Sequence, residues 1–144
     1  MASIVLSVQG FRKFGELSCK EQRLFSEAYF LHLVTGLILK IIPFRWIARV
    51  FSSRQSSVGS PQSEVVELIK TAIDRASRVS PWRNKCLVSS LVARRMLKKR
   101  KIPSKLSLGV AKDSSGRTIA HAWLISGETE VTGKQGDYKE LFVF

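Results

Sequence analysis

Apolar and polar positions keep a helical period over the first hundred residues and then change to a strand period. Ser18 is placed to cap a helix, and Glu21 three positions later completes a capping box. Leu24, Phe25, Ala28, Leu31, His32 and Thr35 follow at helical spacing, which predicts a helix to about Lys40. Pro43 ends or kinks it and suits the first turn of a second helix, "PFRWIARVF" (43–51). The stretch "SSRQSSVGSPQS" (52–63) is polar and serine-rich, with Gly59 and Pro61, and reads as a loop. Beyond it Val65, Leu68, Ile69, Ala72, Ile73 and Ala76 form one stripe of an amphipathic helix over 64–79. "SPW" (80–82) breaks that helix. The next is predicted from Asn84 to Lys101, with Leu87, Leu91 and Met96 inward and its arginines and lysines outward.

"IPS" stops this helix, and the apolar positions begin to alternate. Leu106, Leu108 and Val110 mark a half-buried strand in "KLSLGVAKD" (105–113), and "SSGR" is a turn. "TIAHAWLI" (118–125) is a second strand, "SGET" a tight turn, "EVTG" (130–133) a third strand and "ELFVF" (140–144) a fourth. Helices followed by short antiparallel strands make the fold class α+β. Residues 1–52 form an N-terminal helical region, 53–63 a linker, and 64–144 the core, packed together as one unit.

At 144 residues the chain is one domain's worth and buries a core without disulfides or metal. Two cysteines, Cys19 and Cys86, are too few for a disulfide framework and lack zinc-site spacing. Only His32 and His121 are available as imidazole ligands, so neither a metal nor another cofactor is expected. The N-terminus lacks the basic and apolar blocks of a signal peptide, which suggests a cytoplasmic chain. Residues 28–51 are strongly apolar but interrupted by His32, Lys40 and Pro43. They read as a buried or interfacial helix, with peripheral membrane contact as an option, rather than a span.

Charge adds a partner question. The formal net charge is +13, no Asp or Glu occurs from Arg75 to Lys112, and "RRMLKKRK" (94–101) concentrates cations. Such a field attracts phosphate backbones, anionic headgroups or acidic polypeptides without choosing among them. Nucleic acid is disfavoured because aromatics do not interleave with the cations and no nucleic-acid motif is present.

The candidate chemistry lies in "NKCLVSSLVARRML" (84–97). Cys86 falls in the first turn of its predicted helix, where free backbone N–H groups and the helix dipole favour a thiolate. Lowering a thiol pKa by one unit takes about 1.4 kcal/mol of preferential thiolate stabilisation, within reach of a helix terminus and a nearby imidazolium. The same N–H groups suit the oxyanion of a tetrahedral intermediate. A lone cysteine there is equally at home as a small core residue. His121, in "IAHAW", is the candidate base, unless His32 folds back from the first helix. It shares a strand face with Trp123 and Ile125, so core packing is its alternative role. Cys19 has no such setting and reads as structural.

A cysteine at a helix head followed by a strand carrying "HAW" resembles the transglutaminase-like branch of papain-type cysteine enzymes. More narrowly, Cys86-Leu87, Ile102-Pro103, Leu108-Gly109-Val110 and Ala120-His121-Ala122-Trp123 resemble the B proteins of lasso-peptide biosynthesis. The helical stretch ending in "PFR" extends that resemblance over nearly the whole chain. It implies a leader peptidase acting on a ribosomally made precursor peptide, with Cys86 as nucleophile and His121 as general base and then acid. It also implies two partners: a small separate leader-recognition protein and an asparagine-synthetase-like macrolactam synthetase. The family's third residue is an Asp about a dozen positions after the histidine. Here that stretch offers Thr132 or Gly133, with Glu130 further along and Asp137 beyond the strand. A hairpin turning at Gly127-Glu128 would set Thr132 diagonally beside His121, so either its hydroxyl or a backbone carbonyl would orient the imidazole. The competing readings are a basic nucleic-acid-binding protein and a membrane-peripheral protein, both without catalytic activity.

Overall fold

The capping box forms as the sequence predicts: Glu21 N–H donates to Ser18 Oγ at 3.4 Å and Ser18 N–H to Glu21 Oε2 at 3.1 Å. It starts helix α1 (Cys19–Ile41), which is followed by α2 (Ser63–Val79) and α3 (Lys85–Lys99). The structure, a computed structural model, describes residues 15, 17–43, 45, 46, 49, 63–82 and 85–144. Of the loop expected at 52–63, residues 52–62 lie outside the described residues and Ser63 instead begins α2. Most of the expected helix at 43–51 also lies outside them, while Arg45, Trp46 and Arg49 are helical. Strands β1 (Lys105–Lys112), β2 (Thr118–Ser126), β3 (Thr129–Thr132) and β4 (Lys139–Val143) form an antiparallel sheet in the order β3-β2-β1-β4. The expected α+β class is the one observed.

Among the described residues, α2 and α3 pack on one face of the sheet and α1 packs across those two helices. Val66, Ile69, Ala72, Ile73 and Ala76 of α2 and Val88, Leu91, Val92 and Met96 of α3 are buried together with Leu106, Leu124 and Val131 of the sheet. Of the expected stripe on α2, Val66 rather than Val65 takes the fully buried position. From α1 the buried residues are Leu24, Ala28, His32 and Gly36, one turn apart in succession. At Gly36 a Cβ would overlap the Trp82 indole, so the missing side chain lets α1 seat the segment that leads into α3.

Two expectations for α3 change. It ends at Lys99, not Lys101, because Ile102 N–H bonds Leu97 O and Lys101 N–H bonds Lys98 O, both at 3.0 Å. This is a Schellman closure, with Lys101 at φ +58° where glycine is usual. The expectation that all its cations face outward also fails at Arg94, which is 2 % exposed. Its guanidinium donates to the Phe144 carbonyl, and Phe144 in turn pairs with Leu106 of β1. A planar donor array satisfies a strand-end carbonyl there, which residue type inside a cationic run does not reveal.

Candidate active site

Register decides what the sheet presents. Leu106 pairs with Leu124, Leu108 with Ala122 and Val110 with Ala120, on the face packed against α3. Large residues fill the Leu106 and Leu124 end. At the other end the alanines leave a cleft of about 400 Å³, bordered by Cys86 of α3, Leu108 and Val110 of β1, Ala120 and His121 of β2, and Phe142 of β4. Cys86, second residue of α3 and partly exposed, is thus brought to the same cleft as His121. Sequence separation gave no warrant for that encounter; the packing of α3 on β1 and β2 supplies it.

The His121 ring belongs to the opposite sheet face, with Gly109 and Trp123. It stacks on Trp123 at 6.3 Å between ring centroids and on Tyr138 at 4.9 Å, with Lys134 Nζ 5.4 Å from the Trp123 ring centroid. Gly109, paired with His121, leaves the space that the Trp123 ring fills; a Cβ there would lie 2.8 Å from both that ring and Lys139 O. His121 Nε2 is 2.8 Å from Gly133 O. A carbonyl only accepts, so Nε2 carries a proton in this bond and Nδ1 is the ring nitrogen left free of it. The thiol and the imidazole border one cleft from different sides of β2, with no hydrogen bond between them.

Thr132 is not beside His121. The expected hairpin would pair Thr132 with Trp123, but a bulge between Leu124 and Ile125 pairs it with Leu124 instead. A one-residue slip moves a side chain to the other face. Thr132 Oγ1 therefore accepts from Leu124 N–H at 2.8 Å and shares a 2.8 Å hydrogen bond with Ser90 Oγ on α3. Of the two groups offered by the sequence, the backbone carbonyl at Gly133 orients the imidazole. Glu130 pairs with Ile125 and Asp137 is exposed outside the strands, so neither replaces it. Tyr138 was not anticipated; its position just before the last strand carries no periodic signal.

Neither of the other candidates reaches the cleft. His32 is fully buried, its Nδ1 donating to Ala28 O at 2.8 Å and its Nε2 paired with Ser89 Oγ at 3.1 Å. Burial pushes its pKa below the ordinary value despite the opposing bond to Ala28. It locks α1 to α3 as a neutral ring. Cys19 is exposed at the first residue of α1, remote in sequence and element from the cleft.

In comparison with known families, the transglutaminase-like superfamily matches the chain over residues 30–143. No curated protein and no solved structure matches the chain. The matched stretch runs from α1 through β4 and contains Cys86 and His121, so the chain belongs to the transglutaminase-like superfamily, a group of cysteine peptidase-type folds.

Proposed function

We propose that this transglutaminase-like protein is a cysteine peptidase that removes the leader from a lasso-peptide precursor before macrolactam formation. The observation that carries the reading is that Cys86, in the first turn of α3, and the β2 segment bearing His121, whose Nε2 is tied to Gly133 O, border one apolar cleft. The resemblance of "CL", "IP", "LGV" and "AHAW" to lasso-peptide B proteins supplies the substrate class.

In this reading Cys86 Sγ attacks the scissile carbonyl carbon and its proton passes to His121 Nδ1. Backbone N–H groups of the first turn of α3 receive the oxyanion. Collapse breaks the C–N bond, and the imidazolium gives its proton to the departing amine, the new N-terminus of the core peptide. Water, deprotonated by Nδ1, then hydrolyses the thioester and restores the thiol. The His121 ring lies on the sheet face opposite the Cys86 cleft. The proton transfer from Sγ therefore requires the end of β2 around His121 to rearrange on peptide binding so that Nδ1 reaches Sγ. A cleft of about 400 Å³ is near the small end of ligand pockets and holds side chains next to the scissile bond, not a leader. Leader recognition therefore falls to a separate small protein, and the freed amine to a macrolactam synthetase.

The test incubates the full chain with precursor peptide and leader-binding partner and follows leader release by mass spectrometry. Wild type is expected to cleave, and Cys86→Ala and His121→Ala to lose at least about 10³-fold in rate. Cleavage by Cys86→Ala at the wild-type rate would end the proposal.

A further inference from the structure

Helix α1 is apolar on two sides. Leu24, Ala28, His32 and Gly36 face the core, and about half a turn away Phe30, Leu37 and Ile41 are 65 %, 52 % and 72 % exposed. Ile38 and Ile42 widen the exposed stripe, and Trp46 continues it past Pro43. Large apolar side chains in a continuous stripe on a surface mark an interaction face. By length and composition alone α1 is also long and apolar enough to cross a membrane. Its opposite side, however, is packed on α2 and α3 through residues that include the doubly bonded His32, so crossing would dismantle the core.

Charge identifies the occupant. From Ala28 to Ser63 the sequence holds no Asp or Glu, and its cations are Lys40, Arg45, Arg49 and Arg54. Lys40, Arg45 and Arg49 are exposed at the end of the apolar stripe, and the Arg49 guanidinium lies 5.9 Å from the Trp46 ring centroid. A second copy docked on this face would bring together two chains of net charge +13 around a segment that has no acidic residue to answer these cations, which disfavours it. An anionic bilayer accepts both parts: acyl chains take the apolar stripe, headgroup phosphates take Lys40, Arg45 and Arg49, and Trp46 sits at the boundary.

We infer that the exposed face of α1, continued through Trp46, is a monotopic docking surface for anionic lipid bilayers. It is independent of the Cys86 chemistry, since its residues do not border the cleft. The full-length protein is floated on vesicles of phosphatidylglycerol and phosphatidylcholine, and on phosphatidylcholine alone, at low and high salt. Wild type is expected to float with the anionic vesicles and to release as salt rises. Leu37→Glu combined with Ile41→Glu, both exposed, is expected to keep the wild-type circular dichroism and to reduce partitioning by about tenfold or more. Arg45→Ala with Arg49→Ala is expected to remove the preference for anionic over neutral vesicles. Three outcomes overturn the inference. They are no flotation of wild type, undiminished flotation of the Leu37→Glu, Ile41→Glu protein, or a dimer in light scattering that this variant abolishes while lipids do not bind.

Discussion

His121 is held by an acceptor without a side chain. The Gly133 carbonyl fixes the protonated nitrogen, as a carboxylate would, but brings only a partial charge to stabilise an imidazolium. Stacking on Tyr138 and Trp123 supplies orientation from two further directions. Thr132 meanwhile joins β3 to α3 through Ser90 and caps the Leu124 amide. Thr132→Val keeps the shape but strips the hydroxyl from these partners, and should destabilise the fold by about 1–3 kcal/mol in urea unfolding. The pH dependence of Cys86 alkylation by iodoacetamide should stay at its wild-type form. A displaced profile would mean that Thr132 acts on the imidazole after all.

At the scale of elements, one residue more or less changes what a segment presents. The bulge between Leu124 and Ile125 accommodates Val131, which is buried in the core, and turns Thr132 toward α3. The close of α3 makes a similar point. Lys101 adopts φ +58° to complete the Schellman closure, and Ile102 then enters the core beside Leu97. A left-handed conformation costs a residue with a Cβ about 1–2 kcal/mol. Lys101→Gly should therefore raise stability by up to about 1 kcal/mol, part of the relief being offset by the extra freedom of glycine in the unfolded chain. A loss of stability in thermal unfolding would show that the lysine makes a compensating contact.

For the whole molecule, helix-to-helix attachment depends on groups that titrate. Glu27 of α1 meets Arg100 at 2.7 Å and Lys99 at 3.2 Å just past and at the end of α3. Partial burial raises the Glu27 pKa, but these bonds outweigh it and the net displacement is downward. His32 makes the opposite demand, staying neutral in the core. Its folded pKa lies below the unfolded value of about 6.5, so the unfolded chain binds the extra proton first as pH falls. Stability from this residue is complete above about pH 6.5 and declines below it. Chemical denaturation of wild type and His32→Gln between about pH 5 and 8 should show a shallower slope in the variant. Equal slopes would assign the acid sensitivity to other groups.

The sequence by itself determined the parts whose signal is local. The capping box at Ser18, the apolar stripe of α2, the change to a two-residue period at Leu106 and the placement of Cys86 in a first turn each follow from neighbours a few residues apart. That is why the α+β class and the candidate pair Cys86 and His121 could be named from residue order. What only the tertiary structure decided depends on contacts between distant segments. The bulged register that sends Thr132 away from His121, the choice of Gly133 O as acceptor, the inward Arg94 and the cleft shared by α3 and β2 are of this kind. Strand periodicity fixes alternation but not register. Residue type fixes a donor's chemistry but not its partner, and only long-range packing selects among the pairings that a sequence allows.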